Sequence, residues 1–272
     1  MRDVTVSSPA GSDLHYAMLY THGEVREKLE LINAIKSELE NIPLTVSDKG
    51  VARIKLDWWR VETDRLNNGA PTHRLTKACN SLAMNDSDFC DAMQMLVAGL
   101  DEELGNQAKE TRNEQLAWYE QVYGPMYRVQ AEIQDNTHCE SHPLAKEIGV
   151  SVERTYSLLN LKHHALHGIK RISNECLNGA NCDWVDILAN ERTDGVVRLL
   201  SKESNSLVND IRALHENTSH AMRRRHLSIY TLSNITLRTL QEMQYDGFRI
   251  WRHQIHLTPI RKLWLAWRAR FI

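Results

Sequence analysis

Proline is the feature that most narrows the choice of fold. Only six occur in 272 residues (Pro9, Pro43, Pro71, Pro125, Pro143 and Pro259), and glycine is scarce as well. The long stretches between them carry apolar residues at spacings of three and four, the pattern of amphipathic helices. Alternating apolar and polar runs bounded by turn dipeptides, the pattern of strands, do not occur in the sequence. The expected fold is all-α, with the prolines falling where helices break.

Leu14 and Met18 share one face of a short first helix. Val25, Leu29, Ile32, Ile35 and Leu39 mark a second, expected to stop near Ile42 because Pro43 follows. Asp48 is placed to cap a third, which contains Val51, Ile54, Leu56, Trp58, Trp59 and Leu66 and ends at Asn67-Asn68-Gly69-Ala70-Pro71. Further helices are expected at 74–83, 87–108 (capped by Ser87 or Asp88), 112–134, 143–177 with a break near Gly149, 183–190, 193–217, 219–244 and 258–272. No repeat or linker divides the chain, so residues 1–272 read as one domain, with 1–13 expected to be disordered.

The net charge is -2, but residues 245–272 carry six Lys/Arg against one acid, leaving the remainder at -7. An acidic body with a basic, aromatic end argues against nucleic acid as a partner. The five cysteines (Cys79, Cys90, Cys139, Cys176, Cys182) are odd in number and form no CxxC pair, which points to free thiols in a reducing cytoplasm. No apolar run approaches the ~18 residues of a membrane span. The expected location is cytoplasmic, with any contact with the inner membrane peripheral.

Two stretches are specific enough to compare with known proteins. The first is Lys55-Leu56-Asp57-Trp58-Trp59-Arg60-Val61-Glu62-Thr63-Asp64-Arg65-Leu66, followed by Gly69-Ala70-Pro71-Thr72-His73. The second is Tyr245-Asp246-Gly247-Phe248, then Leu257 and Arg261-Lys262-Leu263-Trp264-Leu265-Ala266. Trp118-Tyr119-Glu120 and Val122-Tyr123-Gly124 lie between them in matching order. Together they resemble the squalene/phytoene synthase family over roughly residues 15–270. The resemblance implies an isoprenoid-synthase-type helical bundle around a central cavity. It also implies a Mg²⁺-dependent ionisation of allylic diphosphates, with two aspartate-rich motifs on facing helices binding the metal.

Those motifs are degenerate here. The first falls on Glu40-Asn41-Ile42-Pro43-Leu44, which keeps one carboxylate. In the second, both aspartate positions become Asn160 and His164, and no acid lies between Glu153 and Glu175. A charge pair ~4 Å apart is worth roughly 4 kcal/mol at an effective dielectric of 20, so losing several carboxylates removes many tenfold steps of rate. Residues 31–49 are similar to a non-catalytic branch of the family, the phytoene-synthase-like mitochondrial complex I assembly factors. The expected function is therefore a non-catalytic relative that binds an isoprenoid or lipid, or acts in assembly or regulation, without metal or other cofactor. The alternative is a divergent prenyl-diphosphate transferase using other Mg²⁺ ligands, such as Glu38, Glu40 and Asp101. A purely structural module with a collapsed cavity is a third reading.

Cavity candidates are Glu38, Trp58, Trp59, Asp101 and Tyr123. Adjacent tryptophans on a helix point about 100° apart, so at most one of Trp58 and Trp59 faces a cavity. His163, His164 and His167 form HHxxH without an acid to complete a zinc site. Asp101-Glu102-Glu103 is a local acid cluster that reads as a solvated helix face, with the old active-site cavity as the alternative. In the last helix Ile260, Leu263, Trp264, Trp267 and Phe271 fall within about 100° of arc. Arg261, Lys262 and Arg268 flank them. That face suits either docking onto the bundle or contact with a membrane or protein partner, with Arg261, Lys262, Trp264, Trp267 and Arg268 as the candidate contacts.

Overall fold

A computed structural model describes residues 8–189, 192–250 and 255–271. Among the described residues the regular structure is helical throughout. The first seven helices are α1 (Asp13–Ala17), α2 (Gly23–Thr45), α3 (Lys49–Asn67), α4 (Arg74–Ser81), α5 (Ser87–Glu103), α6 (Arg112–Gln134) and α7 (His142–Leu159). They are followed by α8 (Leu161–Leu166), α9 (Asn174–Asn178), α10 (Trp184–Leu188), α11 (Asp194–Glu216), α12 (His220–Arg225), α13 (Leu227–Tyr245) and α14 (Pro259–Ala269).

Local chemistry sets most boundaries. The Asp48 carboxylate accepts from the Gly50 and Val51 amides at 2.7 and 3.1 Å and starts α3. Thr111 and Glu114 form a reciprocal capping box at the start of α6. α5 is capped by Asp86, one residue before the expected Ser87 or Asp88. Two prolines do not break helices. α2 continues past Pro43 to Thr45, where the missing N–H costs one bond in the final turn while Leu39 and Ile42 hold the turn by burial. Pro125 sits inside α6, and the carbonyl it leaves without a helical donor belongs to Gln121, a solvent-exposed residue. The expected 143–177 helix is broken at Asn160 and again after His167, not at Gly149. Residues 219–244 likewise divide at His226. The expected disorder of 1–13 falls partly outside the described residues. Within them, the Ser12 amide donates to Pro9 and the Ser12 hydroxyl caps α1.

α7 is the central helix, packed against α6, α11 and α13; α5 lies between α3 and α6, and α2 crosses α3, α4, α5 and α6. Leu29, Ile32, Ile35 and Leu39 of α2 are fully buried, each contributing roughly 1.5–3 kcal/mol. Two glycines let the central helices close up. A Cβ on Gly149 would lie 2.1 Å from the Tyr127 ring, and one on Gly99 would lie 2.3 Å from Val122. Gly149 is thus a contact point between α6 and α7 rather than a breaker. α14 turns Lys262, Leu265, Ala266 and Ala269 inward, against α13 and α1, and leaves its aromatic face outside.

Candidate functional site

The bundle axis between α2, α6 and α7 is polar and packed. A column of tyrosines one turn apart on α6 (Tyr119, Tyr123 and Tyr127) fills it, each at most 1% exposed. Against this column α2 places Lys36 and Glu40, one turn apart, and α7 places Glu153. The Lys36 ammonium is bonded to Glu153, lies 3.9 Å from Glu40, and sits 5.9 Å from the ring centroids of both Tyr123 and Tyr127. The Tyr127 hydroxyl donates to the same Glu153 carboxylate. Burial works against the charge on Lys36, but Glu153 and Glu40 outweigh it and raise its pKa. Burial raises the pKa of Glu40 despite the opposing pull of Lys36.

A second internal cation completes the site. Arg171, on the segment between α8 and α9, donates from Nε and Nη2 to the two carboxylate oxygens of Glu103 at 2.5 and 2.9 Å. Both side chains are 8% exposed. This bidentate geometry is the strong form of the pair. The guanidinium also lies 5.7 Å from the Trp118 ring and 5.9 Å from the Tyr123 ring. Burial opposes the Arg171 charge, yet Glu103 carries its pKa well above the usual value. The recess bounded by Glu103, Trp118 and Arg171 holds about 20 Å³, room for about one water.

The degenerate motif positions border this network. Glu40 joins it directly. Asn41 is exposed and Leu44 half-buried. Asn160 ends α7 and donates to the Tyr156 carbonyl at 2.9 Å. His164 is buried, and desolvation followed by the nearby Arg171 charge pushes its pKa well below the ordinary imidazole value. The alternative Mg²⁺ ligands are not brought together. Glu38 faces His73 at 3.2 Å and Arg74 at 3.7 Å, Asp101 faces Arg60 at 2.9 Å and Arg53 at 3.5 Å, and Glu40 faces Lys36. Among the described residues no three His, Cys, Asp or Glu side chains are grouped to hold a metal ion. Residues that each face a protein cation do not fit Mg²⁺, which needs several oxygen donors in an octahedron.

The tryptophan motif packs around the start of α4. Trp59 is buried and Trp58 is 40% exposed, so Trp58 departs from the core role that is the default for such a residue. Both rings stack edge-on around His73. Glu62, fully buried, receives the Thr72 and His73 amides at 2.6 and 2.7 Å and the Thr76 hydroxyl at 2.5 Å, pinning the start of α4. Burial opposes its charge, but these hydrogen bonds win and lower its pKa to about 2. His163 and His167 do share a face, with rings 4.7 Å apart. Lys262 is not on the outer face of α14: it is buried and paired with Asp13 at 2.7 Å.

Sequence reasoning missed Lys36, Glu153 and Arg171, and placed Glu103 on a solvated helix face, whereas its side chain is buried against Arg171, which pairs with it. Lys36 had a usable signal, its spacing of four from Glu40. Glu153 entered only as the boundary of an acid-free stretch. Nothing local distinguishes Arg171.

The comparisons agree with this architecture. A crystal structure of a dehydrosqualene synthase in complex with ligand superposes with a TM-score of 0.79 at 12% identity, covering 95% of this chain and 90% of that one. The crystal structure of squalene synthase HpnC from Alicyclobacillus acidocaldarius gives 0.67 at 16% identity, over 86% and 88%. Among curated proteins none matches the sequence. The profile of the squalene/phytoene synthase family matches residues 8–261, and the chain belongs to that family.

Proposed function

We propose that this protein is a non-catalytic member of its family, acting in assembly or regulation through its surface rather than through its interior. One observation carries the reading: Lys36 occupies the space between Glu40 on α2 and Glu153 on α7. In a synthase, metal ions neutralise the leaving diphosphate and stabilise the charge that develops. Here a covalently tethered ammonium already sits between the two nearby carboxylates and offsets the charge of one of them. The positions that would supply further anionic ligands are Asn41, Leu44, Asn160 and His164. The tyrosine column and the Arg171–Glu103 pair occupy the axis that a polyprenyl chain would need, which favours the assembly or regulatory role over one in which the interior stores a lipid.

The test is turnover. The protein is incubated with farnesyl or geranylgeranyl diphosphate and Mg²⁺, and pyrophosphate release is followed. The expected rate equals that of the no-protein control. Mg²⁺-dependent release above that control, abolished by Glu40→Gln, would restore the divergent-transferase reading.

A further inference from the structure

We propose that the groove between α13 and α14 takes the phosphate of an anionic phospholipid, with the outer face of α14 lying in the surface of an anionic bilayer. The first observation is the outer face of α14. The face of α14 that carries Ile260, Leu263, Trp264, Trp267 and Phe271 is 46–79% exposed at every one of these residues, while the buried side carries Lys262. Five adjacent large apolar side chains left in water mark an interaction surface. Tryptophan and phenylalanine beside cations suit the boundary between headgroups and acyl chains.

The second observation is the groove alongside. It holds about 320 Å³ and is lined by Arg223 from α12, Arg238 and Gln241 from α13, and Trp264 and Arg268 from α14, with no acidic residue among its walls. The three arginines keep guanidinium donors uncommitted. Arg223 donates one bond to the His215 carbonyl and lies 5.2 Å from the Tyr230 ring. Arg238 donates to Gln241 at 2.7 Å, and Arg268 lies 5.2 Å from the Trp264 ring. Among the described residues none of the three pairs with a carboxylate, whereas Arg225 pairs with Asp135 and Arg261 with Glu242. Guanidinium forks match phosphate oxygens. Trp264 belongs to both the groove wall and the exposed face, so a phosphate held there places the attached acyl chains beside Trp267 and Phe271.

Charge selects the bilayer over other occupants. Residues 245–272 carry +5, and the rest of the chain, at -7, is repelled by an anionic surface. The molecule is therefore oriented with this end down. A free phosphate would leave the aromatic face unused.

The experiment is co-sedimentation of the full chain with vesicles of pure phosphatidylcholine and of phosphatidylcholine with about 30% phosphatidylglycerol. Its readout is partition rather than turnover, so it does not depend on whether the interior is catalytic. Binding is expected to the mixed vesicles only, weakening as salt rises. The triple variant Arg223→Gln, Arg238→Gln, Arg268→Gln loses about 100-fold in partition, at roughly fivefold per cation. Trp264→Ser with Trp267→Ser also loses binding. Both variants change exposed or groove-lining side chains, and an unchanged circular dichroism spectrum checks that they fold. Equal binding to both vesicle types, no binding to either, or unchanged binding of the triple variant overturns the proposal. So does release by millimolar inorganic phosphate at constant ionic strength, which would assign the groove to a soluble anion.

Discussion

The bundle axis and the outer face of α14 distribute polarity in opposite and equally unusual ways. The axis buries Lys36, Glu153, Arg171 and Glu103. α14 exposes Trp264, Trp267 and Phe271. Ordinary folding would reverse both. The difference lies in compensation. Lys36 and Glu153, and Arg171 and Glu103, are each paired at hydrogen-bonding distance, so these four charges are compensated within the chain. Among the described residues the aromatic face of α14 is left exposed, at 46–63% for Trp264, Trp267 and Phe271. Buried charges that are paired speak of structure, and an apolar exterior left uncovered speaks of binding.

The comparison breaks most sharply at Lys36. Lys36→Ala leaves Glu153 buried without its cation and is expected to cost about 3–5 kcal/mol in urea unfolding. Lys36→Met combined with Glu153→Gln should recover most of that loss, because a neutral interior needs no pairing. If the double variant is no more stable than the single, the pair is not what holds the axis. Next in size is acidification. His226, buried and bonded to the Ser141 hydroxyl at 2.6 Å, has its pKa lowered to about 4 by burial and then by His142. Its unfolded value is about 6.5. Between these values the unfolded chain binds the extra proton, so stability falls as pH drops, by roughly 3 kcal/mol for this one group. Unfolding curves at pH 7 and pH 4.5 measure it, and His226→Gln should flatten the difference. Gly149→Ala drives a methyl into the Tyr127 ring and is expected to cost about 1–3 kcal/mol. The smallest effect belongs to the other side of the comparison. Trp264→Ser and Trp267→Ser should leave stability within about 0.5 kcal/mol of wild type. A larger loss would mean that α14 docks through that face after all.

Much of the fold was legible because helix periodicity and caps act over three or four residues. α6 matches the 112–134 expected from the sequence at both ends, and a capping box of Thr111 and Glu114, unread in the sequence, fixes its start. Proline misled at Pro43, since one missing N–H is cheap beside a well-buried helix face, while the expected 112–134 helix already ran across Pro125. The site was only half legible. Glu40, Asn160 and His164 were visible as departures from a motif, but their surroundings depend on Arg171 and Glu103, which are 68 residues apart in sequence and meet only through packing. Orientation was the other gap. The helical wheel shows which residues of α14 share a face, yet only Lys262 reaching Asp13 fixes which face turns inward.

An ammonium fixed on a helix differs from a dissolved ion in one respect that matters for physiology. It cannot be stripped by a chelator, exchanged for a competing metal, or diluted when the surrounding ion pool falls. With Lys36 fastened to α2 beside Glu153 and Glu40, the chain carries that positive charge as part of its own covalent structure.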